Sequence, residues 1–163
     1  MSENYLMLNG KRIDLTEEQV KTLTAEEKKS PFERMKKGDK YFFIEYDGEV
    51  DEDTEAEVSD DDSCYSIANY CTDKAMMEQR ALHETLNRIL WRYSEERGGD
   101  NEWNGCKYHW RIVKNEETKT FSTEYNSIIK EQGIIYFKNK ETAQSAIEEI
   151  IKPFMKEHPK FVW

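Results

Sequence analysis

The sequence predicts an α+β fold, antiparallel β-sheets with helices packed on them, and three observations lead there. Tight-turn dipeptides sit between short apolar stretches, as hairpins require. Two long segments carry apolar residues three and four apart, the spacing of a helix with one buried face. Two parts of the chain also look alike, which suggests a duplicated unit of hairpin, strand and helix.

The first hairpin is "YLMLNGKRIDL", where Asn9-Gly10 tolerates the positive φ of a two-residue turn. Thr16 stands three residues before Gln19, a capping-box spacing, and Val20 and Leu23 follow at helical intervals. A helix of about two turns is expected there. Ser30-Pro31 marks a second start, with Glu33 suited to the first turn and Gly38 as its end. "KYFFIEY" reads as a strand that turns at Asp47-Gly48 and returns through Val50.

From Asp73 the chain becomes "DKAMMEQRALHETLNRILWRYSEER", with Met76, Met77, Leu82, Leu86, Ile89, Leu90 and Tyr93 on one stripe and Gly98-Gly99 as the stop. "KYHWRIV" and "KTFSTEY", joined by "KNEET", form a further expected hairpin, and "GIIYF" a strand. The closing helix places Ala143, Ala146, Ile147, Ile150, Ile151 and Phe154 on one face, with Pro153 kinking or ending it.

The duplication rests on "NYCTDKAMMEQRA" against "IYFKNKETAQSAI", which matches Tyr70 with Tyr136 and Lys74 with Lys140 at an offset of 66. Upstream, Tyr41 matches Tyr108 at an offset of 67. The expected organisation is an N-terminal hairpin and short helix over 1–30, a first unit over 31–98 and a second over 99–163, within one compact domain.

The net charge of −10 is local. Glu49, Asp51, Glu52, Asp53, Glu55, Glu57, Asp60, Asp61 and Asp62, with Asp47, account for all of it, so the rest of the chain is neutral. No basic footprint for nucleic acid or an anionic membrane is present. No run approaches the roughly 20 apolar residues that span a bilayer, and Cys64, Cys71 and Cys106 form an odd set that fits a reducing cytoplasm.

Three readings compete for the acidic run. As a calcium loop starting at Asp51, it puts Ala56 where the sharp turn wants Gly and Asp62 where Glu belongs. As a phosphate mimic, it carries about one charge per 5 Å of extended chain, too sparse alone for duplex DNA at about 1.7 Å, which leaves a loose mimic of one DNA strand or a surface completed by Glu95, Glu96, Asp100 and Glu102. As a solvated, partner-facing segment it needs no special geometry, and that reading stands.

No other motif carries chemistry. Cys64, Cys71, Cys106 and His109 have poor spacing for zinc, and "HETLN" has Asn87 where a zinc-protease helix needs its second His. There is no serine elbow, phosphate loop or dinucleotide fingerprint. No catalytic residue, metal or cofactor is therefore expected. Trp91 falls off the apolar stripe and Trp103 lies in a loop, so both are candidate anchors for a partner.

Three blocks, "SPFERMKKGDKYFFIEYDGEV", "YSIANYCTDKAMMEQRALHETLNRILWRYS" and "GIIYFKNKETAQSAIEEIIKPFM", resemble small accessory proteins encoded by phages, prophages and mobile elements of Gram-positive bacteria (Firmicutes). The resemblance covers most of residues 30–157, and "LNGKRIDLTEEQV" is similar to openings common in that group. It implies a protein that binds and blocks a host machine in the bacterial cytoplasm, of the anti-CRISPR or anti-defence type. The implied partner has a basic nucleic-acid-binding surface, as a CRISPR effector nuclease does. The alternative is a structural or replication accessory protein that assembles with itself or a phage partner.

Overall fold

The computed structural model describes residues 4–24, 30–100, 102–103 and 106–163. It is a mixed α+β structure with three two-stranded antiparallel hairpins. The chain divides into two compact units, Met1–Glu33 and Arg34–Trp163.

In the first unit, β1 (Tyr5–Leu8) pairs with β2 (Lys11–Asp14). Asn9 and Gly10 take φ of 49° and 77°, the left-handed pair that such a turn needs. The capping box forms as the spacing predicts: Gln19 N–H donates to Thr16 Oγ1 at 3.2 Å and Thr16 N–H to Gln19 Oε1 at 2.9 Å. It opens α1 (Glu17–Thr24).

In the second unit, β3 (Lys40–Ile44) pairs with β4 (Val50–Thr54) through a turn at Asp47-Gly48. Gly48 has φ +95°, which side-chain-bearing residues rarely adopt, and a Cβ there would sit tightly against Thr85 Oγ1 at 3.0 Å. The short helix α2 (Ser59–Ser66) follows, then the long α3 (Lys74–Glu96). Asp73 caps α3 by accepting from Met76 N–H. β5 (His109–Lys114) and β6 (Phe121–Asn126) form the last hairpin.

The chain closes on α4 (Lys140–Ala146), a π-helical turn (Ile147–Ile151) and α5 (Lys152–Glu157), which run on with helical backbone angles throughout. Pro153 does not end the helix. Its missing N–H and bulky ring would disrupt a regular α-turn, and the wider π turn just before it takes up the misfit.

The two halves of this unit are built alike. A single antiparallel bridge ties Phe42 in β3 to Cys71, and another ties Trp110 in β5 to Phe137. Two residues beyond each bridge comes the helix cap, Asp73 for α3 and Asn139 for α4. The bridges correct the alignment by one residue: Phe42 corresponds to Trp110, so Tyr41 corresponds to buried His109, whereas Tyr108 is exposed. "GIIYF" is correspondingly no strand but the single bridge at Phe137.

α3 packs on β3 and β4, α4 packs on β5 and β6, and α3 meets α4 and the π turn that follows it. The larger core gathers Leu86, Leu90 and Tyr93 with Phe137, Ile147, Ile151, Phe154 and Phe161. The smaller joins Ile44, Cys71, Met77 and Ala81, with Phe42 and Val50 against it. Met76, on the expected stripe, is exposed.

The helix expected from Ser30 to Gly38 does not form; the described segment is a series of turns. An isolated helix of two turns is unstable in water. Residues 34–39 take tertiary partners instead: Met35 N–H donates to the Tyr70 hydroxyl at 3.1 Å, and Gly38 N–H to the Glu55 carbonyl at 2.8 Å.

Candidate functional site

Much of the acidic run lies in a strand and a helix, with Glu55 and Glu57 in the link between them. Asp51, Glu52 and Asp53 lie in β4, and Asp60, Asp61 and Asp62 form the first turn of α2. The strand alternates its side chains, so Asp51 and Asp53 share one face with Phe43 and Tyr41 opposite them, about 6.6 Å apart along the strand. Three carboxylates at the N-terminus of α2 favour the helix dipole, which offsets the weak helix propensity of "SDDDSCYS".

Two of the acids hold this segment in place from inside. Glu55 is fully buried, and Asp61 nearly so at 1%. Glu55 takes a two-pronged bond from Arg34, at 2.9 Å from Nη2 to Oε1 and 3.2 Å from Nε to Oε2. The Tyr70 hydroxyl and Glu57 N–H complete its partners at 2.9 and 3.0 Å. Asp61 accepts from Ala56 N–H, Val58 N–H and the Tyr41 hydroxyl at 2.9, 3.0 and 2.9 Å. Reaching back from the third helical position to the cap residue's N–H, it closes half of a capping box.

Above these bonds, Tyr41 and Tyr70 stack at 4.1 Å. Burial, followed by the bond to Asp61, raises the Tyr41 phenol; burial, with Glu55 also contributing, pushes Tyr70 up to about 12. The Arg34 guanidinium holds the Glu55 carboxyl below its ordinary value, and the N–H of Val58 does the same for Asp61.

A depressed folded-state pKa contributes stability that is complete above the ordinary values of 4.5 for Glu and 3.8 for Asp. It is lost as pH falls through the lower folded values. Thermal denaturation against pH is therefore expected to show Tm falling below about pH 4. Asp61→Asn is expected to lower Tm at pH 7 and to lose less on acidification than the parent chain.

The remaining acids face outward. Glu52 pairs with Lys40 at 2.6 Å and Asp62 with Arg34 Nη1 at 2.6 Å. Glu49, Asp51, Asp53, Glu57 and Asp60 are exposed and form no ion pair among the described residues. Burial and then the charges of Asp61, Asp60, Asp53 and Glu45 raise the Cys64 thiol, which makes Cys64 a poor nucleophile.

Trp91 is 60% exposed on α3. Trp103 is half-buried, stacked on the His109 ring at 3.7 Å, and His109 Nδ1 lies 2.6 Å from Asp100 Oδ2. By the bridge register His109 and Tyr136, whose rings meet edge-on at 6.4 Å, are the counterparts of Tyr41 and Tyr70, whereas Asp100 and Trp103 come before β5 and have no counterpart in the first half. An open cleft of 690 Å³ lies beside Asp100, between the end of α3 and the start of β5.

Arg34, Tyr41, Tyr70, Asp100 and His109 are the site residues that sequence patterns miss. Tyr70 left a signal through its match to Tyr136 and Tyr41 through its match to Tyr108; His109 stood out only as a poorly spaced zinc ligand and Asp100 only as a charge completing an acidic surface, whereas Arg34 left none. Strand β4 rules out a calcium loop starting at Asp51. Among the described residues, no three His, Cys, Asp or Glu side chains converge on a metal position, and no helix is long and apolar enough to cross a membrane.

The chain is thus defined by its architecture, an α+β protein of three two-stranded hairpins with an acidic strand and helix pinned by buried carboxylates. No family model, curated protein or solved structure matches it.

Proposed function

We propose that the protein is a non-enzymatic binding protein of a phage or mobile element, which occupies the basic nucleic-acid-binding surface of a host protein. A CRISPR effector nuclease is the partner that the sequence resemblance favours, and the bacterial cytoplasm the place. One observation carries this reading: Asp51 and Asp53 on β4, Asp60 on α2, and Glu49 and Glu57 in the turns on either side of β4 are exposed on a segment held from within by Glu55 and Asp61. Carboxylates already fixed in place lose little conformational freedom on binding. Their field speeds encounter with a basic surface and rejects acidic ones. Trp91, exposed on α3, supplies a large apolar contact.

The test is a pull-down from bacterial lysate with two proteins of equal thermal stability, the parent chain and a variant carrying Glu49→Gln, Asp51→Asn, Asp53→Asn, Glu57→Gln and Asp60→Asn. The parent is expected to retain a basic nucleic-acid enzyme at low salt and shed it at high salt. The variant is expected to bind it at least about tenfold more weakly. Equal capture by both would remove the acidic face from the function.

A second reading, self-assembly, draws on Ile128 and Ile129, which are 81% and 61% exposed just after β6. Light scattering over a range of concentrations separates the two, since a constant monomer mass contradicts self-assembly.

A further inference from the structure

The two hairpins of the second unit each leave one strand edge free, and the two edges differ. Phe42 exchanges both of its backbone hydrogen bonds with Cys71, and Trp110 does the same with Phe137. Glu52, opposite Phe42, and Tyr125, opposite Trp110, therefore point their own N–H and C=O groups away from the hairpin. This direction alternates along a strand, so Val50, Glu52 and Thr54 form the outer edge of β4, and Phe121, Thr123 and Tyr125 that of β6. The edge of β4 is blunted by its own acids, since Glu52 N–H donates to Asp51 Oδ1 at 2.8 Å and Thr54 N–H to Asp53 Oδ1 at 2.7 Å. The edge of β6 is open: among the described residues no strand pairs with it, and Asn126 turns its side chain to the N–H groups of Ile128 and Ile129 instead.

Strand β6, "FSTEYN", is complementary to itself when two copies run antiparallel about a dyad at Thr123. Thr123 then meets Thr123 of the second copy and Phe121 meets Tyr125, so every outward N–H and C=O group of one edge faces one of the other. Threonine pairs and aromatic pairs are both favourable across strands. On the other face Ser122 meets Glu124, and no like charges stand directly opposed. Moving the dyad to Glu124 would set that carboxylate against itself, and moving it to Ser122 would leave Tyr125 facing the turn residue Lys119. Glu124 is the only charged residue of the strand, and Arg111 answers it at 3.4 Å.

We infer that β6 pairs with β6 of a second copy of this chain, joining their last hairpins into one four-stranded antiparallel sheet. The inference rests on the self-assembly reading and names its surface. A two-stranded ribbon is marginal by itself, and pairing extends its ladder. The dyad uses up both edges, so the product closes at a dimer. No residue of the acidic segment takes part in the pairing.

The test is sedimentation equilibrium of the full chain across the micromolar range, beside variants at Ser122 and Thr123 that circular dichroism shows to be folded. The parent is expected to rise from monomer to dimer mass and to go no further. Thr123→Pro removes an outward N–H and no bond of the β5–β6 ladder, and should weaken the dimer at least about tenfold. Ser122 is exposed, so changes there leave the core intact. Ser122→Glu sets like charges opposite Glu124 and should weaken the dimer roughly threefold or more, whereas Ser122→Lys sets opposite charges there and should tighten it by a similar factor. A dimer that all three variants leave unchanged, or a mass that grows past the dimer, overturns the β6 surface while the self-assembly reading stands. A constant monomer mass overturns both and leaves the edge to a strand of another protein. The five-acid variant should dimerise at least as tightly as the parent, so the acidic-face reading is tested apart.

Discussion

Replacing Glu55 with alanine is expected to lower Tm on the order of 10 °C, measured by circular dichroism at pH 7. The carboxylate is fully buried, and its removal strands the partners that converge on it: the Arg34 fork, the Tyr70 hydroxyl and Glu57 N–H. Breaking one side of such a pair costs far more than the pair contributes, because the other side loses its compensation. Arg34 keeps Asp62 and reaches solvent, which moderates the loss. Glu55→Gln preserves shape and part of the bonding and should fall by less. Arg34→Met combined with Glu55→Met should cost less than the sum of the single changes, since no charge is then left unanswered. A Tm within a degree or two of the parent for Glu55→Ala would show that the carboxylate does not hold the segment.

Phe137→Ala is expected to cost about 3–5 kcal/mol, seen as a fall in denaturation midpoint at unchanged slope. Phe137 is 1% exposed in the larger core, and its backbone makes both hydrogen bonds of the bridge to Trp110. The cavity left would lie among Leu90, Ile147 and Ile151, side chains that cannot all relax into it. Phe137→Leu keeps most of the volume and should cost under about 1.5 kcal/mol. Its counterpart Cys71 occupies the same bridge position with a much smaller side chain, because the core around it, of Ile44, Met77 and Ala81, is smaller.

The hairpins and long helices were legible because local chemistry specifies them. Asn9, Gly10 and Gly48 take positive φ, and Gln19 sits at the spacing that reaches Thr16. The two-fold likeness was legible in outline, but Tyr41 was matched to Tyr108, since like residues attract an alignment where only the bridge register reveals the true counterpart, His109.

What sequence patterns hid was set by contacts between distant positions. Ser30 and Pro31 announce a helix, yet Arg34 and Met35 have partners at Glu55 and Tyr70 that a helix would forgo. α2 lacks an apolar stripe, and its start is stabilised by Asp61 turning inward and by the three carboxylates of its first turn. The candidate site changed accordingly. A run of like charges reads as a uniform solvated face, whereas Glu55 and Asp61 lie inside and Glu52 and Asp62 are paired. Nothing in "DEDTEAEVSDDD" marks which acids turn in, because the determinants are Arg34, Tyr41 and Tyr70, elsewhere in the chain.

The acidic segment is a folded surface fixed by its own buried carboxylates, Glu55 and Asp61. Native-state hydrogen exchange at the amides of Ala56, Glu57 and Val58 tests it most directly, since these three N–H groups donate to Asp61 and Glu55. The expected result is exchange slowed by roughly a hundredfold or more relative to an unstructured chain, with protection of Ala56 and Val58 lost in Asp61→Asn. Exchange at unstructured rates in a chain whose α3 amides stay protected would contradict it, and would return residues 55–62 to a solvated tail.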